Sequence, residues 1–163
     1  MDQICRDALT ELGDFTPVPW EMIPNFGLYM DQVITFLDQM YAPLFGSGSE
    51  SLLSSSMINN YVKAKLLPRP TGKKYGREQI ALLAMIAVLK QVSSMEDIRS
   101  MFASAADMGV EKLYAAFCAR QRTALSSLSE QVLADGTLPP ALDFAITAGA
   151  CRTGCEFMLR RKL

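Results

Sequence analysis

Apolar residues recur at helical spacing through most of the chain, and the breaks between these runs fall at glycine, proline and serine. Ile4, Ala8, Leu9 and Leu12 share one face of a short amphipathic helix expected over Cys5 to Leu12, with Gly13 as its stop. The stretch from Phe15 to Leu28, FTPVPWEMIPNFGL, has three prolines among Phe15, Trp20 and Phe26. That composition predicts an extended strap that buries its aromatic rings on a surface. From Asp31 to Met40 a helix is expected, with Val33, Ile34, Leu37 and Met40 inside and Asp31, Gln32, Asp38 and Gln39 outside. Pro43 and the run GSGSES from Gly46 to Ser51 mark the loop after it.

Ser54, Ser55 and Ser56 offer N-cap side chains to a second helix carrying Met57, Ile58, Tyr61, Val62 and Leu66. Pro68 and Pro70 end it and hold Leu67 to Thr71 extended. Gly72 permits positive φ, so Arg69 to Tyr75 is expected to double back as a small hairpin or wing. Arg77 to Gln91 is apolar almost all round, the mark of a central core helix. Ser94 with Asp97 makes a capping box that restarts helix at Met95, with Ile98, Met101 and Phe102 inside. Beyond a break at Asp107 or Gly109, two long helices fill the last third. The first, Val110 to Leu133, carries Leu113, Phe117, Ala124, Leu128 and Val132 and stops at Asp135-Gly136. The second opens on Pro139-Pro140, carries Leu142, Phe144, Ile146, Phe157 and Leu159, and ends in Arg160-Arg161-Lys162-Leu163. No heptad repeat runs long enough for a coiled coil.

A hydrophobic fraction of 50% with 20% charged residues belongs to a soluble globular chain of 163 residues. The first residues carry acids where a signal peptide needs a basic region, and the longest apolar run, Ile80 to Leu89, is far short of the roughly 20 residues of a membrane span. A cytoplasmic protein with no membrane partner is expected. The net charge of −1 hides an uneven distribution. In residues 1–50, Arg6 stands against Asp2, Asp7, Glu11, Asp14, Glu21, Asp31, Asp38 and Glu50, whereas in residues 51–80 Lys63, Lys65, Arg69, Lys73, Lys74 and Arg77 stand against Glu78 alone. Such a basic patch suits a polyanion even in an acidic chain.

There is no histidine, and Cys5, Cys118, Cys151 and Cys155 fit neither a disulfide framework nor a zinc finger. Cys151 and Cys155 lie one helical turn apart, but a soft-metal site there needs Cys118 as a third ligand, so core packing is the preferred reading and no cofactor or metal is expected. No glycine-rich phosphate loop or nucleophile signature is present either, and an enzyme is not expected.

The order of helix, Leu66-Leu67-Pro68, basic turn with Tyr75, and buried helix resembles the DNA-binding domain of the MerR-type winged helix-turn-helix regulators. On that resemblance Tyr61 matches the second of the family's paired tyrosines, Lys73 and Tyr75 match the wing's arginine and tyrosine, and Ile80 and Leu83 open the next helix. Ser93 to Ile98 then matches the segment that starts the helix after it, while Asn59 and Asn60 replace the usual arginine and tyrosine. LYMDQV, MINNYVKAKLLPRP and KKY together resemble, over roughly Leu28 to Met101, a family of small bacterial proteins known only as a domain of unknown function.

These resemblances imply a mainly α fold with a winged helix-turn-helix core over 28–106, preceded by an N-terminal helix and strap over 1–27. A C-terminal helical pair over 107–163 would serve dimerisation or an effector. The function implied is a DNA-binding transcriptional regulator acting as a homodimer, with its effector unspecified. Asn59, Asn60 and Lys63 project together from the second helix, where asparagine can pair with adenine and lysine with guanine or phosphate. Ser56 and Lys65 complete that helix's expected contacts. Arg69, Lys73, Lys74, Tyr75 and Arg77 form the wing, in which Lys73, Lys74 and Arg77 reach phosphates and Tyr75 sets the angle. The alternative is a protein-interaction module that keeps the fold without binding DNA, for which the acidic first fifty residues and an apolar patch on the C-terminal pair would speak.

Overall fold

The structure is a computed structural model and describes residues 1–46 and 51–161. It is mainly helical: α1 (Gln3–Asp14), α2 (Met30–Phe45), α3 (Ser55–Lys63), α4 (Arg77–Leu89), α5 (Met95–Ser104), α6 (Val110–Asp135) and α7 (Pro140–Arg161), with single 3-10 turns at Trp20–Met22 and Ala106–Met108. Among the described residues there is no strand, only two isolated bridges, Leu28 with Tyr75 and Thr71 with Lys74. No helix among them is long and apolar enough to cross a membrane. The chain divides into a central unit, Pro17–Cys118, and a terminal unit made of Met1–Thr16 and Ala119–Leu163. α6 begins in the central unit and continues into the terminal one.

The central unit is built round α4. Every residue from Ile80 to Ala87 is buried, so those two turns have no polar, solvated face. A helix of this kind needs neighbours on all sides. Val33, Leu37 and Met40 of α2, Ile58 and Tyr61 of α3, and Ile98 of α5 supply buried apolar partners to the same core. Tyr41 adds a polar tie, its hydroxyl donating to the Ala84 carbonyl at 3.2 Å.

Three helix ends fall elsewhere than the sequence suggests. α1 runs through Gly13 to Asp14, and a Cβ built on Gly13 would lie 3.3 Å from the Ser129 Cβ of α6, so this glycine serves a close approach of two helices inside the terminal unit. α2 runs through Pro43 to Phe45 and ends only at Gly46, whose φ is +74°. Pro43 forfeits one helical hydrogen bond and does not end the helix. Ser47 to Glu50 of the expected loop lie outside the described residues.

α3 ends at Lys63, short of Leu66 and well before Pro68. The cause is a Schellman motif: Lys65 is left-handed with φ +58°, its amide donates to Val62 O at 3.1 Å, and the Leu66 amide donates to Tyr61 O at 2.9 Å. Leu66 and Tyr61, buried together, supply the apolar contact that accompanies such a cap. The Ser94–Asp97 capping box and the stop at Gly136, φ +60°, form as expected. Asp38, expected outside, accepts the Leu52 amide at 2.8 Å, and Lys90 Nζ donates to Leu52 O at 2.9 Å, which fixes the chain entering α3.

The strap is extended apart from its 3-10 turn, and Ile23 and Leu28 are buried. Phe15 is buried as expected, but Phe26 is 67% exposed, because it points away from the core that Leu28 enters. Within the central unit the Tyr114 hydroxyl donates to Val18 O at 2.7 Å and its ring meets Trp20 at 6.3 Å.

Burial pushes the hydroxyls of Tyr41 and Tyr114 far above the ordinary tyrosine range, while in the unfolded chain they ionise near pH 10. Folded pKa values above the unfolded ones mean that this stability is fully present below about pH 10 and is lost as the pH rises beyond it. Tyr41→Phe is therefore expected to cost about 1 kcal/mol at pH 7, from the missing hydrogen bond, and to flatten the decline in stability between about pH 9 and 11 in urea denaturation.

Candidate functional site

The basic residues gather where α3 leaves the core and the chain returns to α4. Ser54 caps α3, accepting the Met57 amide at 3.3 Å, and this start turns Ile58 and Tyr61 inward. Ser56, Asn59, Asn60 and Lys63 are consequently exposed, at the three- and four-residue spacing of one helix face. Past the Schellman turn, Lys65 and Arg69 are exposed, while Leu66 and Leu67 are buried beneath them.

The expected hairpin is the smallest possible one. Thr71 and Lys74 exchange both backbone hydrogen bonds, at 3.1 and 3.0 Å, around Gly72 and Lys73. Positive φ at both central residues, +56° and +65°, is the signature of a type I′ turn. The next bridge does not extend the hairpin, because Tyr75 pairs instead with Leu28 of the strap, at 2.8 and 3.0 Å.

One side chain ties both ends of this loop. Gln79 Oε1 accepts the Gly76 amide at 2.8 Å and Gln79 Nε2 donates to Pro68 O at 3.0 Å, so the first turn of α4 pins the loop where it begins and where it ends. A second tie comes from α5, whose Arg99 donates to Ala64 O at 2.7 Å, satisfying a carbonyl at the end of α3. The spacing of Gly76 and Gln79, N-cap and third helical residue, is a local signal in the sequence. Arg99 carries no such signal, since nothing local links it to a residue 35 positions away.

Tyr75, expected to set the angle of the wing, and Arg77, expected at phosphates, both hold to the strap. Tyr75 is 2% exposed, a core residue that anchors the turn to the strap. Arg77 is half-buried: its Nε donates to Ile23 O at 2.8 Å and its guanidinium lies 5.6 Å from the Trp20 ring centre, so it clamps the strap to the start of α4. Lys74 is exposed but leans on the strap, with Nζ 5.1 Å from the Tyr29 ring centre and Cβ so close to Gly27 that any side chain there would collide with it. Lys63, Lys65, Arg69 and Lys73 remain as exposed cations, and among the described residues none of them has an ion-pair partner.

A family model described as "Domain of unknown function (DUF1836)" matches residues 18–117. The chain belongs to that family. The DUF1836 match coincides with the central unit to within one residue at each end and extends past the stretch 28–101 on which the sequence resemblance rests. The strap from Val18 onward, α2 to α5 and the basic loop are thus all DUF1836 structure, and α1, α7 and most of α6 lie outside it. Neither the curated proteins nor the solved structures contain a match to the chain.

The thiols offer little beside this loop. Cys118 belongs to the central unit and Cys151 and Cys155 to the terminal one, and burial raises the Cys118 pKa. Among the described residues no three His, Cys, Asp or Glu side chains come together in a group that can hold a metal ion.

Gln79→Ala removes two hydrogen bonds and is expected to destabilise the chain by about 1–2 kcal/mol, with faster hydrogen exchange at the Gly76 amide. Gln79→Glu keeps the acceptor and adds a favourable charge at the start of α4, so Gly76 stays protected and the destabilisation is smaller. Urea denaturation with amide exchange separates the two.

Proposed function

We propose that the central unit binds DNA as a regulator of the winged helix-turn-helix type. On this reading α2 and α3 form the helix-turn-helix, and α3 presents Ser56, Asn59, Asn60 and Lys63 to a groove. The Thr71–Lys74 turn is the wing, and Lys65, Arg69, Lys73 and Lys74 hold phosphates. The resemblance to MerR-type regulators supplies the functional class, including action as a homodimer.

One observation carries the reading. Among the described residues two non-glycine residues have positive φ, and both are lysines of this loop, Lys65 and Lys73. Glycine fits both positions with less strain, since a left-handed L-residue costs roughly 1–2 kcal/mol. A cation kept on such backbone, exposed and without an ion-pair partner, points to work outside the fold.

The test sets stability against binding. Lys65→Gly and Lys73→Gly are each expected to leave stability unchanged or raise it by up to about 1 kcal/mol, while weakening binding to a DNA duplex in fluorescence anisotropy. For every phosphate that is no longer neutralised, the slope of log affinity against log salt should fall by about 0.9, and Lys73→Glu/Lys74→Glu should abolish binding. Affinity that ignores both salt and these substitutions would overturn the proposal.

A second reading has its own observation. Leu142, Ile146 and Phe157 are each about half exposed on one face of α7, outside the matched family segment. An exposed apolar face suits a protein-interaction module. If that is the function, Leu142→Glu/Ile146→Glu releases a partner that co-purifies with the wild type, and DNA affinity is at background in both.

A further inference from the structure

Beside the end of α3 lies an open groove of about 410 Å³, within the roughly 300–1,000 Å³ of small-molecule sites. Its lining is divided by chemistry. Leu66, Leu67 and Leu82, all nearly buried, form an apolar floor with half-buried Phe102. Lys63, Lys65 and Arg69 are its charged residues, and no acid lines it. The Schellman turn builds this arrangement: it sends Leu66 into the core and leaves Lys65, its neighbour, at the rim.

We propose that this groove binds an amphipathic carboxylate, with an aliphatic or aromatic tail on the leucine floor and the carboxylate among Lys63, Lys65 and Arg69. A neutral apolar molecule would use the floor and leave three cations without a counter-charge. A small inorganic anion would use the rim and forgo the floor. Only a molecule with both parts matches the whole lining, and a carboxylate can accept from lysine and arginine together. Because the same three cations serve the DNA contact proposed above, the ligand competes with DNA; that consequence rests on the DNA-binding reading, whereas binding to the groove does not.

The test is a titration of the 163-residue chain, with its leucine methyl groups carbon-13 labelled, by octanoate, 1-octanol and acetate in separate NMR experiments. Octanoate should shift the Leu66, Leu67 and Leu82 methyls saturably, at least tenfold more tightly than octanol, and acetate should leave them in place. Lys65→Gln/Arg69→Gln should erase the preference for octanoate over octanol, with the methyl spectrum of the remaining core unchanged as the control for folding. Equal affinity for octanoate and octanol, or no saturable shift of these methyls, overturns the proposal. Repeating the anisotropy titration with octanoate should raise the apparent Kd for DNA severalfold. If the chain binds no DNA while the methyl shifts persist, the DNA reading fails and the groove stands.

Discussion

The burial of the middle of α4, Ile80 to Ala87, is the constraint on which the central unit depends. Eight successive buried residues leave no polar face to orient the helix, so its placement comes from what surrounds it. Apolar packing alone is tolerant of rotation and sliding. The polar ties at the ends and flank of α4 restrict that freedom: Gln79 at the first turn, Arg77 to the strap, Tyr41 to the Ala84 carbonyl, and Lys90 to Leu52 just past the last turn. Each links α4 to a different segment, so the strap, α2, the entry to α3 and the basic loop are registered against one helix.

The basic loop inherits its shape from that registration. It leaves α3 through a left-handed lysine, is held at both ends by Gln79, reverses at a type I′ turn and returns through a backbone pair with the strap. Little of it is free to vary except the side chains at its rim. Cations on a rigid loop lose less conformational freedom on meeting an anion than cations on a mobile tail. The DNA contact and the carboxylate groove proposed here both draw on this rigidity, and both use Lys65.

Much of this is legible in the sequence wherever a local pattern determines the outcome. The all-apolar run at Ile80 announces the core helix, the Ser94–Asp97 pair fixes a helix start, and Gly72 places the reversal. Helix ends are the weak point, because the residues that look like stops are not the ones that stop. Gly13 and Pro43 sit inside helices, while Lys65, a residue with no breaker character, ends one. In two of these cases packing outweighs local preference: Gly13 is needed small beside Ser129, and Lys65 turns left-handed so that Leu66 can be buried over Tyr61. Arg77 departs from expectation for a related reason. Its charge is plain in the sequence, but its partners, Ile23 and Trp20, lie more than fifty residues back, and no local rule connects them.

The fate of Arg77 and Tyr75 also sharpens the functional argument. Both lie in the basic stretch, where the sequence reads Arg77 as a phosphate contact and Tyr75 as the residue that sets the turn, and both hold the strap to the core. The strap thereby withdraws one cation from the surface and fixes the turn that carries Lys73 and Lys74. What remains exposed is a smaller set, Lys63, Lys65, Arg69, Lys73 and Lys74, on backbone that the fold constrains. A patch left over from solubility requirements would place its charges wherever the backbone is relaxed. This one holds two of its five on left-handed residues, which is the pattern expected when the position of each charge matters.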